Sequence, residues 1–217
     1  MALKIYGAAL SPFVRKVRVF LDEKGVEYEP VHIDPNDPPP DYRAINPLMR
    51  IPALADGDRV LADSAVICAY LERRFPEPAL YPDDDYEYAR TLWFEKYADE
   101  ELGVNCTRTI FRNRVVMRLL GRDCDEQAVQ QACAEALPPH LDYLEEQLGE
   151  HDFFVGERLT VADIAMVSQF TNMQHGGEEI DADRWPRLAA YVERIQARAA
   201  FQQHIEKESG FIRKALG

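Results

Sequence analysis

No apolar run in this chain reaches the roughly 18 residues that suggest a membrane-spanning helix. Nor does the N-terminus carry a basic segment followed by a long apolar core, so no signal peptide is expected. Cysteine is sparse: Cys68, Cys106, Cys124 and Cys133 are scattered, with no C-x-x-C pair among them. A reduced, cytoplasmic protein is therefore the expectation, without a disulfide framework. Cys68 falls inside a helical apolar pattern, where a buried, inert thiol is the default reading. The histidines (His32, His140, His151, His175 and His204) show neither H-x-x-x-H nor H-E-x-x-H spacing, so no metal site is expected. Gly176-Gly177 is not set in a phosphate-loop pattern. Basic residues are the minority charge: 25 Lys and Arg stand against 38 Asp and Glu, for a formal net charge of −13. That balance argues against nucleic acid or an anionic membrane as partner. A small anionic ligand held by a few local arginines stays open.

What the chain does have is enough apolar residue for a substantial core: 47% of 217 residues are hydrophobic and 29% charged. Strand signals are confined to its first third. Leu3 and Ile5 mark one face of a short strand. Over 12–24 the apolar positions Phe13, Val17, Phe20 and Leu21 fall at i, i+4, i+7 and i+8, one face of a helix, with Gly25 placed to end it. Val26, Tyr28, Val31 and Ile33 suggest a second strand, and Pro30 argues for an edge or irregular position. A Pro- and Asp-rich loop over 34–40 leads to a helical turn over 42–45 that stops at Asn46-Pro47. Residues 51–55 and 59–61 bracket Asp56-Gly57-Asp58, a hairpin signal. Asp63-Ser64 then opens a helix with Val66, Ile67, Tyr70 and Leu71 on its apolar face, ended by Pro76. A βαβ unit joined to ββα is the thioredoxin-like plan.

After a Pro- and Asp-rich stretch, strand signals disappear. Residues 86–120 read as helix without a proline. Asp125 caps a further helix that meets Pro138-Pro139 and must kink or restart there. Leu141, Leu144 and Leu148 continue it to Gly149. Thr160-Val161-Ala162-Asp163 is a capping-box variant with Asp in the Glu/Gln position. Trp185-Pro186 begins another helix, and a last one includes Phe201 and Ile205. The expected architecture is an α/β N-terminal thioredoxin-like domain with a mixed four-stranded sheet (1–76), a linker (77–85) and an all-α C-terminal domain (86–217).

The candidate site residues sit where elements begin. Small residues after the first strand deliver Ser11 to a helix start, with Pro12 at the first helical position. From these residues alone, Ser11 is a plain N-cap or an active-site hydroxyl beside a positive helix end, a place suited to a thiolate. Asp63-Ser64 is likewise an ordinary cap or an anion site. Arg50 is a solvated arginine or a carboxylate partner. Pro52 can simply start an edge strand. Trp93, Phe94 and Tyr97 read first as a helix-packing face, and otherwise as part of an apolar pocket between the domains.

Four segments taken together carry a resemblance. They are Ser11-Pro12-Phe13-Val14-Arg15-Lys16-Val17, Asn46-Pro47 followed by Ile51-Pro52-Ala53-Leu54, Asp63-Ser64-Ala65-Val66-Ile67, and Leu159-Thr160-Val161-Ala162-Asp163-Ile164-Ala165. In this order the chain resembles the cytosolic glutathione S-transferase superfamily over essentially its whole length, and the pattern is most similar to the serine-type bacterial and plant-like classes. The resemblance implies glutathione as co-substrate, no metal, and detoxifying transfer to a small hydrophobic electrophile. It implies that Ser11 is catalytic, as a donor to the glutathione thiolate. It also implies a cis Ile51–Pro52 bond, with the Ile51 backbone pairing with the cysteinyl residue. Ser64 would hold the γ-glutamyl carboxylate, Asp63 would favour its ammonium, and Arg50 would meet the glycyl carboxylate. Glu or Gln is usual at the place of Asp63, and the loop lysine of some relatives is missing from 34–41, which leaves Arg43. A homodimer is implied as well.

The magnitudes allow the role of Ser11. A free thiol has a pKa of about 8.5, and lowering it by about two units needs about 2.7 kcal/mol. One charge-assisted hydrogen bond supplies roughly 1.5–3 kcal/mol, and the helix end adds to it. Tyr6, where other classes place a catalytic tyrosine, is the competitor. The absence of cysteine over 6–14 disfavours thiol–disulfide exchange. An isomerase, dehalogenase or reductase on the same site, or a non-catalytic binding module, is the alternative that fold alone does not separate.

Overall fold

In the computed structural model, which describes residues 2–217, the chain divides after Tyr81 into two units. The first contains β1 (Leu3–Tyr6), α1 (Pro12–Glu23), β2 (Tyr28–Val31), a 3₁₀ turn (Pro40–Ala44), β3 (Ala53–Asp56), β4 (Arg59–Ala62) and α2 (Ser64–Arg74). Its four strands lie in the order β2-β1-β3-β4. β1 and β2 are parallel, whereas β3 is antiparallel to both β1 and β4. Pro30 lies in the edge strand β2, where its missing N–H is tolerated. That strand begins at Tyr28 rather than Val26, because the amide of Val26 is used to end α1.

The end of α1 is a Schellman motif. Gly25 takes φ +66°, its N–H reaches the Asp22 carbonyl (3.1 Å), and the N–H of Val26 reaches that of Leu21 (3.0 Å). The buried face of α1 carries Val14, Val17, Phe20 and Leu21. Lys24, at the C-cap, has a fully buried side chain. Its Nζ donates to the carbonyls of Phe75 (2.8 Å) and Pro78 (2.7 Å) and lies 2.8 Å from Glu72 Oε2. Two hydrogen bonds and an ion pair make burial of the ammonium tolerable. Glu72 Oε1 in turn accepts from the amides of Leu80 and Tyr81, so the chain leaving α2 is fastened to the helix it leaves.

The second unit comprises α3 (Asp85–Tyr97), a wider π-type helix (Ala98–Met117), α4 (Glu126–Gln131), a short π-type stretch (Ala132–Ala136), α5 (Leu137–Leu148), α6 (Val161–His175), α7 (Pro186–Gln196) and α8 (Ala199–Leu216). It has no strand among the described residues. The helix capped by Asp125 restarts at Leu137, with proline in the first turn of α5. The wide turns ahead of Pro138 and Pro139 absorb the ladder bonds that proline cannot make.

Helix α6 is the centre of this unit. Residues 161–173 are all buried, so it shows no apolar stripe. Asp163 anchors its start. The carboxylate accepts from the amides of Phe154 (3.1 Å) and Thr160 (2.8 Å), from the Thr160 hydroxyl (3.0 Å) and from the Tyr191 hydroxyl (2.8 Å). Burial pushes this carboxyl up from its ordinary range, and the four donors pull it back.

Asp163→Ala removes the acceptor and leaves those buried donors unpaired. It is expected to cost the helical unit about 3 kcal/mol or more, read by urea denaturation. In the first unit, the Tyr70 hydroxyl (2.6 Å) and Arg74 Nε (3.1 Å) both meet Asp56 Oδ2, and with the Tyr70 bond first they hold that carboxyl below its usual range. A depressed folded pKa contributes stability above the unfolded value of about 3.9, and this is lost as pH falls through the folded pKa. Tyr70→Phe is therefore expected to cost about 1 kcal/mol near neutrality, discounted for partial solvent exposure. In denaturation series the loss should shrink below about pH 4.

Candidate functional site

One row of residues crosses the sheet where three of the candidate segments emerge. Tyr6 pairs with Val31 on one side and Ala53 on the other, and Ala53 pairs with Ala62. β1 ends in this row, β3 begins in it and β4 ends in it. The segments just beyond therefore share one edge of the sheet: Gly7 to Ser11, Arg50 to Pro52, and Asp63-Ser64. Helices α1 and α2 both begin at that edge, and neither has an acidic residue in its first turn. The start of α1 has no acidic group to neutralise it and suits an anionic ligand, whereas that of α2 carries the Asp63 carboxylate as its N-cap.

Gly7 brings the segments close. A Cβ there would lie 2.4 Å from Val14 Cγ2 and 3.4 Å from the Cβ of Ile51. Its N–H and C=O continue the ladder to Val31 and Ile33. The absent side chain is thus a condition of contact between the strand end, α1 and the Ile51-Pro52 segment. The following turn closes with the Ser11 N–H on the Ala8 carbonyl (3.1 Å). Ser11 is the N-cap of α1, with Oγ accepting from the Val14 amide at a long 3.4 Å. It is half-buried. A hydroxyl that accepts in this way still has its own proton to donate.

The Ile51–Pro52 peptide is cis, as is Glu77–Pro78. The carbonyl just before Ile51, that of Arg50, is held twice: by the Tyr42 hydroxyl (2.8 Å) and by Asn46 Nδ2 (2.6 Å). Asn46 Oδ1 accepts in turn from the Leu48 amide (3.0 Å). Burial pushes the Tyr42 phenol up to about 12, so it stays a donor. Asn46 reads in the sequence as a helix stop before Pro47; its role as a clamp on the Arg50 backbone, four residues on, is a loop contact that the sequence reading missed. The Arg50 side chain is exposed, as is Arg43, whose Nη1 reaches the Pro47 carbonyl (3.4 Å).

Asp63 and Ser64 behave differently from each other. Asp63 is exposed, takes φ +76°, and turns its Oδ1 onto the amides of Ala65 (2.9 Å) and Val66 (3.3 Å). Ser64 is only 3% exposed. Tyr6 is half-buried and packs with Ile33, Tyr42 and Ala53, its ring 6.2 Å from that of Tyr42.

The aromatic group on α3 divides. Phe94 is buried against Phe154, with rings 5.0 Å apart. Trp93 is 51% exposed and donates to the Tyr143 hydroxyl (3.2 Å). Tyr97 meets His140 Nδ1 at 2.6 Å, and burial pushes its phenol up to about 12. Among the described residues no three His, Cys, Asp or Glu side chains are grouped to hold a metal ion, and no helix is long and apolar enough to cross a membrane.

A mixed sheet on the thioredoxin plan, with two helix N-termini at one edge, followed in the chain by an all-helical unit, defines the two-domain glutathione-transferase class. Comparison with known proteins agrees. Residues 5–79 match the family model for the N-terminal domain of glutathione S-transferase, and residues 111–208 match that for its C-terminal domain. The chain is 33% identical to glutathione S-transferase 3 of Zea mays, over 94% of this chain and 93% of that protein. It is 30% identical to the maleylacetoacetate isomerase of Pseudomonas aeruginosa, over 93% and 94%. A solved glutathione S-transferase from Rhodospirillum rubrum F11 matches with a TM-score of 0.86 at 25% identity, covering 93% of this chain and 91% of that one. The chain belongs to the glutathione S-transferase family.

Asn46→Ala leaves the Arg50 carbonyl with the Tyr42 bond alone. The expected cost is about 1–2 kcal/mol in urea denaturation. Hydrogen exchange should show the amides of residues 48–51 less protected, while those of α1 keep their protection.

Proposed function

We propose that this glutathione S-transferase binds glutathione along the sheet edge where Tyr6, Ala53 and Ala62 are paired, and that Ser11 stabilises its thiolate. The observation carrying the reading is that register, which sets the Ser11, Ile51-Pro52 and Ser64 segments side by side. The Ile51 backbone pairs with the cysteinyl residue as a further strand would. Ser64 holds the γ-glutamyl carboxylate at the start of α2, and Arg50 meets the glycyl carboxylate. Ser11 keeps its capping bond and donates its hydroxyl proton to sulfur. The thiol proton leaves to solvent, the thiolate forms a bond to an electrophilic carbon, and the leaving group departs with its electron pair. Ser11 is a donor throughout, never a nucleophile. The serine-type class, a cytoplasmic setting and a homodimer belong to the same proposal. Val60 on β4 and Val66 on α2 are large apolar side chains left 44% and 50% exposed, which supports burial against a second copy.

The likeness to an isomerase favours a second outcome on the same site, in which the thiolate adds to an unsaturated substrate and is later expelled. A panel of alkyl and aryl electrophiles assayed beside glutathione-dependent isomerisation separates the two.

Ser11→Ala is expected to leave glutathione affinity within about threefold and to move the ultraviolet titration of the bound thiol about one to two pH units upward. An unchanged titration would remove Ser11 from the mechanism.

A further inference from the structure

Among the described residues, two other than glycine take a positive φ, Met49 (+56°) and Asp63 (+76°), and each stands just ahead of a segment at the site edge. Asp63 is accounted for locally: a short polar side chain tolerates the left-handed region, and its Oδ1 meets the amides of Ala65 and Val66. Met49 has neither advantage. Its side chain carries no donor, and a long residue with φ above zero is uncommon and unfavourable, whereas glycine takes that conformation freely. What Met49 has instead is packing. It is half-buried against the cluster of Ile33, Tyr42 and Ala53, as is Ile51. The turn is held on both sides of Met49. Its own N–H reaches the Asn46 carbonyl (3.0 Å), and the next carbonyl, that of Arg50, is taken by Tyr42 and Asn46. That carbonyl shares one planar peptide with the Ile51 N–H, so fixing the first directs the second to the opposite side. Neither the N–H nor the carbonyl of Ile51 bonds another described residue.

We infer that Met49 is a positioning residue: its side chain, anchored in the Ile33, Tyr42 and Ala53 cluster, holds a left-handed turn that aims the Ile51 main chain at the cysteinyl unit of glutathione. This rests on the glutathione-binding reading above and adds to it a residue that acts through Ile51. Packing explains methionine at a position whose backbone suits glycine. Glycine would satisfy φ and release the turn from the cluster, whereas leucine would keep the anchor.

The test is calorimetry with glutathione and with an analogue whose cysteinyl N–H is replaced by oxygen, which removes one bond to the Ile51 carbonyl. Wild type should prefer glutathione by about tenfold. Met49→Gly should remain folded, since relief of the left-handed backbone offsets the lost packing. It should bind glutathione about tenfold more weakly, yet bind the analogue within about twofold of wild type. Met49→Leu should restore glutathione affinity to within about threefold. Equal weakening of both ligands in Met49→Gly would make Met49 a merely structural residue and overturns the inference. So does wild-type glutathione affinity in that variant, or a wild type that binds both ligands alike. Should Met49→Gly fail to fold, Met49→Gln, of equal length but polar, takes its place with the same expected pattern and the same overturning results. If wild type does not bind glutathione at millimolar concentration, the functional reading itself falls.

Discussion

The pairing of Tyr6 with Ala53 and of Ala53 with Ala62 is the constraint on which the site depends. Strand pairing has a period of two, so a slip of one residue in β3 would turn its buried side chains to the opposite face. Ala53 and Leu54, both buried, resist such a slip in either direction. The same pairing decides where the loops between strands begin. Because each strand meets the row at one of its ends, the segments that leave or enter the sheet there are neighbours. A site assembled in this way is placed by the strand pairing and then fixed by a few nearby groups, Tyr42 and Asn46 among them.

Around that edge, polar groups are shared between structure and chemistry. Ser11 accepts a helix amide through a lone pair and still has a proton to give. Asn46 and Tyr42 satisfy the carbonyl of Arg50 and so fix the backbone that enters Ile51. Asp63 is the contrasting case, with Oδ1 drawn onto two amides of its own helix. Elsewhere each unit holds a buried charge surrounded by several partners. In the first it is Lys24, with three acceptors; in the second it is Asp163, with four donors. Both stand at helix ends, where free backbone groups are available to a buried charge.

Much of this was legible in the residues. The α1 period, its stop at Gly25, the edge position of Pro30, the Asp56-Gly57-Asp58 hairpin and the cap at Thr160 to Asp163 are local effects, and local rules recover them. The candidate site was legible only in part. Ser11 and the Asp63-Ser64 pair were recognisable as helix starts, and their wider role came from four motifs read together, because a helix cap looks the same whether or not a ligand follows. The Gly7 contact with Ile51 was not legible, since its partner lies on another segment, and the bonds of Asn46 and Tyr42 to Arg50 lie in an irregular loop where no periodicity marks them. Trp93, Phe94 and Tyr97 share a helical stretch, and only packing against Phe154, Tyr143 and His140 sorts them into core and surface.

By itself, then, the sequence determined the kind and order of elements: periodicity, caps and turn residues act within a few positions along the chain, where φ and ψ preferences and side-chain spacing are sufficient. Tertiary structure decided which ends meet. It set Gly7, Ile51 and Ser64 at one sheet edge, and gave Lys24 its acceptors. Those outcomes depend on strand register and on hydrogen bonds between residues far apart in the chain, which no local pattern contains.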